Sequence, residues 1–241
     1  MKTVQDLLDR ITNQRSRLGI SDHPAWYRGH RFSAYKLLPG LLRYKNGPKH
    51  ERKLYAVFRN EGASLIPDSF HSLETLALMQ HHGIPTRLLD WTESIHSALY
   101  FSVLSSLTMK IENPCIWILN PYRLNFESRA QNVIYDRDDR LDLDYYDCAT
   151  KRQWPFDLPV ALAAPWRNAR VAAQKGYFTI HGNDLRPVEE CAPSCVKRID
   201  IPQHLVRDII RLLNSSATNT FSQFPDLDGL SMKLRRQFKL F

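Results

Sequence analysis

Gly83 and Pro85 stand two residues apart in the string Gln80-His81-His82-Gly83-Ile84-Pro85-Thr86-Arg87-Leu88-Leu89-Asp90-Trp91-Thr92, and they leave the chain little choice of local structure. Upstream, Leu73, Leu76, Ala77 and Met79 recur at helical spacing, which predicts a helix over Ser72 to His81. A glycine just past the last periodic residue ends such a helix, because it takes the left-handed backbone without a side-chain clash. Pro85 then turns Ile84 towards an extended backbone, and Arg87 to Trp91 continues extended until Thr92 caps a helix carrying Tyr100 and Val103. The reactive side chains therefore fall on a helix end, a tight turn and a strand end.

Similar logic reads the rest of the chain. Thr3 caps a helix with Val4, Leu7, Leu8, Ile11 and Leu18 on one face, and Lys49 to Ala63 forms another around Leu54, Val57 and Phe58. Strands are predicted at Ala25 to Gly29, Cys115 to Leu119, Pro159 to Ala163, Tyr177 to His181 and Val196 to Ile201. Helices are predicted at Asn168 to Lys175, closed by Gly176, then at Pro202 to Leu213 and Asp226 to Phe238. Residues 125–155 are acidic, tyrosine-rich and weakly periodic, which reads as a long connection or variable insertion. The sum is one α/β domain of the α+β type over residues 1–241, with a small, twisted, mixed sheet flanked by helices.

Composition narrows the surroundings. No apolar run approaches the roughly 18 residues that span a bilayer, and Met1 to Asp6 lacks a secretory h-region, so a cytoplasmic protein is expected. Four cysteines, with Cys191 and Cys195 the nearest pair, complete no metal-ligand set and read as free thiols. A formal charge of +8 calls for an anionic partner: a nucleotide, a nucleic acid or an acidic protein face.

The turn from Gln80 to Thr92 gathers an amide, two imidazoles, a guanidinium, a carboxylate and an indole. Imidazoles titrate near neutral pH, and guanidinium holds a carboxylate or phosphate through two parallel hydrogen bonds. Arg87 and Asp90 either form an internal ion pair that pins the turn or meet a ligand. Arg28 precedes Gly29, whose missing side chain lets a ligand or another backbone come close, and it marks a ligand-binding position. His81 and His82 are adjacent and diverge on a helix, so no metal is expected. The zinc-protease, phosphate-loop and hydrolase-elbow motifs are all absent.

Trp26-Tyr27-Arg28-Gly29-His30, Tyr35-Lys36-Leu37-Leu38-Pro39, Gln80 to Thr92, Ala98-Leu99-Tyr100-Phe101 and Arg170 to Phe178 together resemble the FRG domain family, named for its Phe/Tyr-Arg-Gly motif. That resemblance implies a site built from Arg28, His82, Arg87, Asp90, Arg170 and Gln174, and Tyr27, Gly29, Gln80, His81, Thr86 and Trp91 complete the candidate ligand-binding set. A strand ending in Arg28-Gly29, followed by a helix of the form Ser94-x-x-x-Ala98-x-Tyr100, is also similar to the ADP-ribosyltransferase fold. This second resemblance implies NAD as the ligand, with Arg28 on its phosphates, Tyr100 or Trp91 against nicotinamide, and Glu190 or Asp90 as the carboxylate facing the ribose.

Three readings of function follow. The first is an NAD-dependent ADP-ribosyltransferase or NAD-hydrolysing enzyme, a chemistry that fits a toxin or phage-defence setting. The second is an RNA-binding protein or metal-independent ribonuclease, with His81 or His82 as acid and base and the arginines on the phosphodiester. The third is a non-catalytic module that senses its ligand.

Overall fold

The computed structural model of the chain describes residues 1–103, 113–136, 141, 143–163 and 175–240. Its strands are β1 (Trp26–His30), β2 (Leu88–Thr92), β3 (Cys115–Leu119), β4 (Val160–Ala163), β5 (Gly176–Ile180) and β6 (Val196–Asp200). They form one open sheet in the order β4-β5-β2-β1-β3-β6. Flanking helices are α1 (Val4–Arg17), α2 (Gly47–Glu61), α3 (Ser72–His81), α4 (Ile95–Val103), α5 (Pro121–Arg129), α6 (Tyr145–Lys151), α7 (Val188–Cys191), α8 (Val206–Ser215), α9 (Thr220–Gln223) and α10 (Leu227–Gln237). The α+β class and the helix-flanked sheet agree with the sequence. The predicted helix over 168–175 lies outside the described residues, apart from Lys175.

Where a mixed sheet is expected, every ladder between these strands is antiparallel, and the parallel pairing among the described residues is the isolated bridge of Tyr135 with Leu162. The reason is the path between strands. From β1 the chain passes through two helices, α2 and α3, and so returns beside β1 running the opposite way. β2 and β3 both run against β1, which lies between them, and α4 carries the chain across β1 from one to the other. Among the described residues α4 thus lies on the path between two parallel strands that never touch.

Strand alternation divides the core. On one face Tyr27, Ile116, Ile118 and Ile199 pack under α1, α4 and α8 around Leu7, Leu99 and Ile209. On the same face, Leu88, Phe178, Ile180, Val160 and Leu162 pack separately with Leu76 and Met79 of α3, Tyr55 of α2 and Tyr145 of α6. The opposite face carries a third cluster that includes Trp26, Leu89, Trp91, Trp117 and Ala161. Residues 125–155, read as a loose connection, supply α6 and the buried Tyr135, Tyr145 and Trp154 to the second cluster. Their burial is aromatic rather than periodic, which is why spacing alone did not mark them. No helix among the described residues is long and apolar enough to cross a membrane, and the four cysteines are free.

Candidate functional site

β1 and β2 part almost as soon as they meet. Their ladder registers Tyr27 with Thr92, whereas β1 pairs with β3 along all of Trp26 to His30. Where the next rungs would fall, Arg28 takes over: its Nη1 donates to the backbone oxygen of Asp90 at 2.6 Å and lies 3.5 Å from Asp90 Oδ2. A guanidinium therefore bridges a gap that backbone amides leave open.

That gap opens into a cleft of about 370 Å³ at the seam between the two cores of one face. Its lining comes from β1 (Tyr27, Arg28, Gly29, His30), β2 (Asp90, Trp91, Thr92), α3 (Ala77, Gln80, His81), Phe101 of α4, Phe178 of β5, and Arg31, Tyr35 and Arg43 between β1 and α2. Among the described lining residues, three guanidiniums and two imidazoles accompany one carboxylate, Asp90. The potential in the cleft is therefore positive and suits an anion.

The sequence of the turn builds this wall. Gly83 takes φ +81°, Ile84 N–H donates to Met79 O at 3.0 Å and Gly83 N–H to Gln80 O at 3.0 Å, a Schellman ending to α3. That ending aims Gln80 at the strand: its Nε2 donates to Asp90 Oδ1 at 2.7 Å, and its Oε1 accepts from the Thr86 hydroxyl. Thr86 Oγ1 in turn accepts from Leu88 N–H at 3.1 Å, so the buried threonine braces the carboxylate from behind and lies outside the lining. Asp90 remains 59% exposed.

Arg28 is 19% exposed, and its Nε donates to His30 Nε2 at 3.1 Å. Burial holds the Arg28 pKa below the usual arginine range, opposed by Asp90 and reinforced by Arg43. His30 is pushed down to about 3, first by burial and then by the Arg28 charge, against an opposing contribution from the Tyr35 backbone. It is a neutral acceptor at physiological pH.

Several expected site residues sit elsewhere. Arg87 is buried, with Nε 2.6 and 2.7 Å from the two oxygens of Glu51, Nη1 on Gly182 O at 2.9 Å, and its guanidinium 4.5 Å from the Trp154 ring centroid. It pairs with Glu51 and not with Asp90, because it precedes β2 and points into the core under α2. Glu51 also accepts from Tyr145 Oη at 2.8 Å. Trp91 lines the cleft, but its indole is buried and donates to Thr179 Oγ1 at 3.1 Å, so alternation has turned the ring away from the face that carries Asp90. Tyr100 is also buried, and its hydroxyl donates to Thr220 at 2.9 Å and accepts from Arg236 at 3.3 Å. Its neighbour Phe101 reaches the cleft instead.

His82 is the exposed C-cap of α3, and of the two imidazoles His81 lines the cleft. Glu190 pairs with Lys36 at 3.1 Å on the short helix α7 and does not line it. Thr92 does not cap α4; its Oγ1 accepts from Ser94 N–H, and Ser94 accepts from Ser97 N–H. Arg170 and Gln174 lie outside the described residues.

Gly29 is explained by α4. A Cβ there would stand 1.9 Å from Ala98 O and 2.7 Å from Ser102 N, so the helix crosses the strand backbone directly. Of the two reasons the sequence offered for this glycine, the approach of another backbone is the one observed.

His30, Tyr35, Arg43, Phe101, Phe178 and Glu51 were not singled out from the sequence. Glu51 had a signal: it shares a helical stripe with Tyr55 and Phe58, where a lone charge requires a partner. Of the others, His30, Tyr35, Phe101 and Phe178 stand inside the strings that resemble the FRG domain, and no local pattern marks Arg43.

Residues 23–110 match the family model of the FRG domain. Over that segment the chain is similar to the FRG domain. Every described residue lining the cleft except Phe178 falls inside that FRG segment, as do Glu51 and Arg87 beneath it. No curated protein sequence and no solved structure matches the chain. Among the described residues, no group of three or more His, Cys, Asp or Glu side chains is placed to hold a metal ion.

Proposed function

We propose that the FRG cleft binds a nucleotide through its phosphates, and that NAD is the nucleotide. The observation that carries this reading is the cleft's composition: Arg28, Arg31 and Arg43 stand around a pocket whose other walls include Tyr35, Phe101 and Phe178. Guanidinium suits phosphate oxygens, and aromatic rings suit a base or nicotinamide. A volume of about 370 Å³ falls within the range of small-molecule sites.

Within this reading Asp90 is the carboxylate that faces the ribose. The bond between C1′ and the nicotinamide nitrogen breaks, nicotinamide leaves with the bonding pair, and the carboxylate stabilises positive charge developing on the ribose. Water, or the nucleophile of an acceptor, then bonds to C1′ and loses its proton to the His81 imidazole. Water as acceptor makes the protein an NAD hydrolase, the kind of activity a toxin or phage-defence protein would use. Another nucleophile makes it an ADP-ribosyltransferase.

A second reading, ligand sensing without turnover, is favoured by the partners the Asp90 carboxylate already has, a hydrogen bond from Gln80 and an ion pair with Arg28. A carboxylate so engaged is a weaker partner for a cationic ribose. The RNA-cleaving reading fits less well, because of the two imidazoles assigned to its acid and base work His82 lies outside the lining, and His30, which does line the cleft, accepts from Arg28.

Isothermal titration of NAD into the protein, with chromatography for released nicotinamide, tests the proposal. Binding lost in Arg28→Ala and release lost in Asp90→Asn would support the enzyme. Binding without release would select the sensor, and no binding would sink the nucleotide reading.

A further inference from the structure

Arg28 contacts the protein at two of its three guanidinium nitrogens: Nη1 on Asp90 O and Nε on His30 Nε2. Two such contacts define the plane of a rigid, planar group, and Nη2 is not used by either. His30 is an unusual choice for the second contact. It is 5% exposed, its cross-strand neighbour is Cys115, and its Nδ1 is buried without a hydrogen bond of acceptable geometry. An apolar side chain would fill the space without burying an unsatisfied nitrogen, so the imidazole is there for what Nε2 accepts.

We propose that His30 is a positioning residue that sets the plane of the Arg28 guanidinium, and through it the orientation of the anion bound in the cleft. The effect on ligand rests on the nucleotide-binding reading above, whereas the effect on Arg28 does not. For Nε2 to accept, the ring must be neutral with its proton on Nδ1. Burial and the charges of Arg28 and Arg43 keep it neutral throughout the ordinary pH range, with the Tyr35 backbone opposing. The edge of the Tyr35 ring, 6.1 Å between centroids, closes the other side of the imidazole. Because Tyr35 also lines the cleft, the support for Arg28 and the ligand share a wall.

The test compares His30→Leu, which removes the acceptor, with His30→Gln, whose amide oxygen can reach the position of Nε2. In ¹⁵N spectra of the ligand-free protein, the Arg28 Nε–H signal is expected to be distinct and slow to exchange in wild type and in His30→Gln, and averaged in His30→Leu. Titration with NAD is expected to show affinity about tenfold or more weaker in His30→Leu and largely restored in His30→Gln, with no further loss when His30→Leu is added to Arg28→Ala. An Arg28 Nε–H unchanged in His30→Leu overturns the proposal whether or not NAD binds. The expected spectral change without any NAD binding leaves the positioning role standing and refutes the nucleotide reading. Should His30→Leu fail to fold, long-range ¹⁵N spectra of the wild-type imidazole decide: a proton on Nε2 overturns the proposal, and a proton on Nδ1 supports it.

Discussion

Gly29→Ala distinguishes a glycine needed for packing from one needed for ligand. The added methyl would lie 1.9 Å from Ala98 O and 2.7 Å from Ser102 N, both backbone atoms of α4. To reach ordinary contact at 3.4 Å, that carbonyl must retreat by about 1.5 Å. α4 cannot retreat freely, because Ala98, Leu99 and Ser102 are fully buried and Leu99 packs in the core with Ile116 and Ile209. Overpacking usually destabilises by about 1–3 kcal/mol, and a clash with two backbone atoms of an anchored helix belongs at the upper end. For a domain of this length each kcal/mol lowers Tm by about 2–4 °C, so a fall of roughly 6–12 °C is expected. Scanning calorimetry on wild type and variant measures it, and titration of NAD into the folded variant measures the cleft. A variant with wild-type Tm that has lost its ligand would refute the packing argument and return Gly29 to the ligand.

Glu51→Gln should destabilise by about 3–5 kcal/mol, because Arg87 keeps its charge in a buried site with no carboxylate; denaturant unfolding checks this, and NAD affinity of the folded variant should be unchanged. Acid should weaken the fold through His30 and His181, held at about 3 and about 4 chiefly by burial, against 6.5 for an ordinary histidine. Below that value the unfolded chain binds protons that the folded protein refuses, so this stability is complete above pH 6.5 and falls beneath it, by roughly 2–3 kcal/mol at about pH 5.5 for the two groups. Urea unfolding at the two pH values should show about half that loss in His181→Gln. His81→Ala should weaken or slow whatever the cleft does, while His82→Ala should leave both ligand affinity and turnover at wild-type levels; the reverse result in titration and nicotinamide assays would mean the wrong imidazole faces the ligand.

The Gln80 to Thr92 turn was legible because its chemistry is local. A glycine that accepts positive φ and a proline that extends its predecessor act within two residues, and the observed Schellman ending and strand follow directly. Arg28 was only partly legible: its ligand reading leaned on Gly29, which the close crossing of α4 explains instead, and its contacts with Asp90 O and His30 were not foreseen. The roles of Arg87, Trp91 and Tyr100 were not legible. Their partners, Glu51, Thr179 and Thr220, lie 36, 88 and 120 residues away in the chain, and only the assembled sheet decides which face each side chain takes. A polar side chain in a reactive-looking string is equally suited to a ligand and to a distant buried partner, and sequence spacing cannot rank the two.

The position of the cleft follows from how the sheet is closed rather than from any one residue. A strand inserted between two parallel neighbours must be crossed by the helix that joins them, and here α4 lies so close over β1 that only glycine fits beneath it. α4 thus holds β1 to one core, while α3 and Phe178 hold β2 to the other. The two strands meet once, at Tyr27 and Thr92, and separate. Unpaired backbone at that separation must be satisfied, and a side chain with several donors can satisfy it while keeping one donor for something else. Arginine meets that requirement; lysine, with a single nitrogen, would have to serve Asp90 O, His30 and ligand from one point. Arg28→Lys is accordingly expected to keep the charge of the cleft yet lose most of its affinity for NAD, and a lysine variant that binds as wild type would mean that charge alone, without the fork, holds the anion.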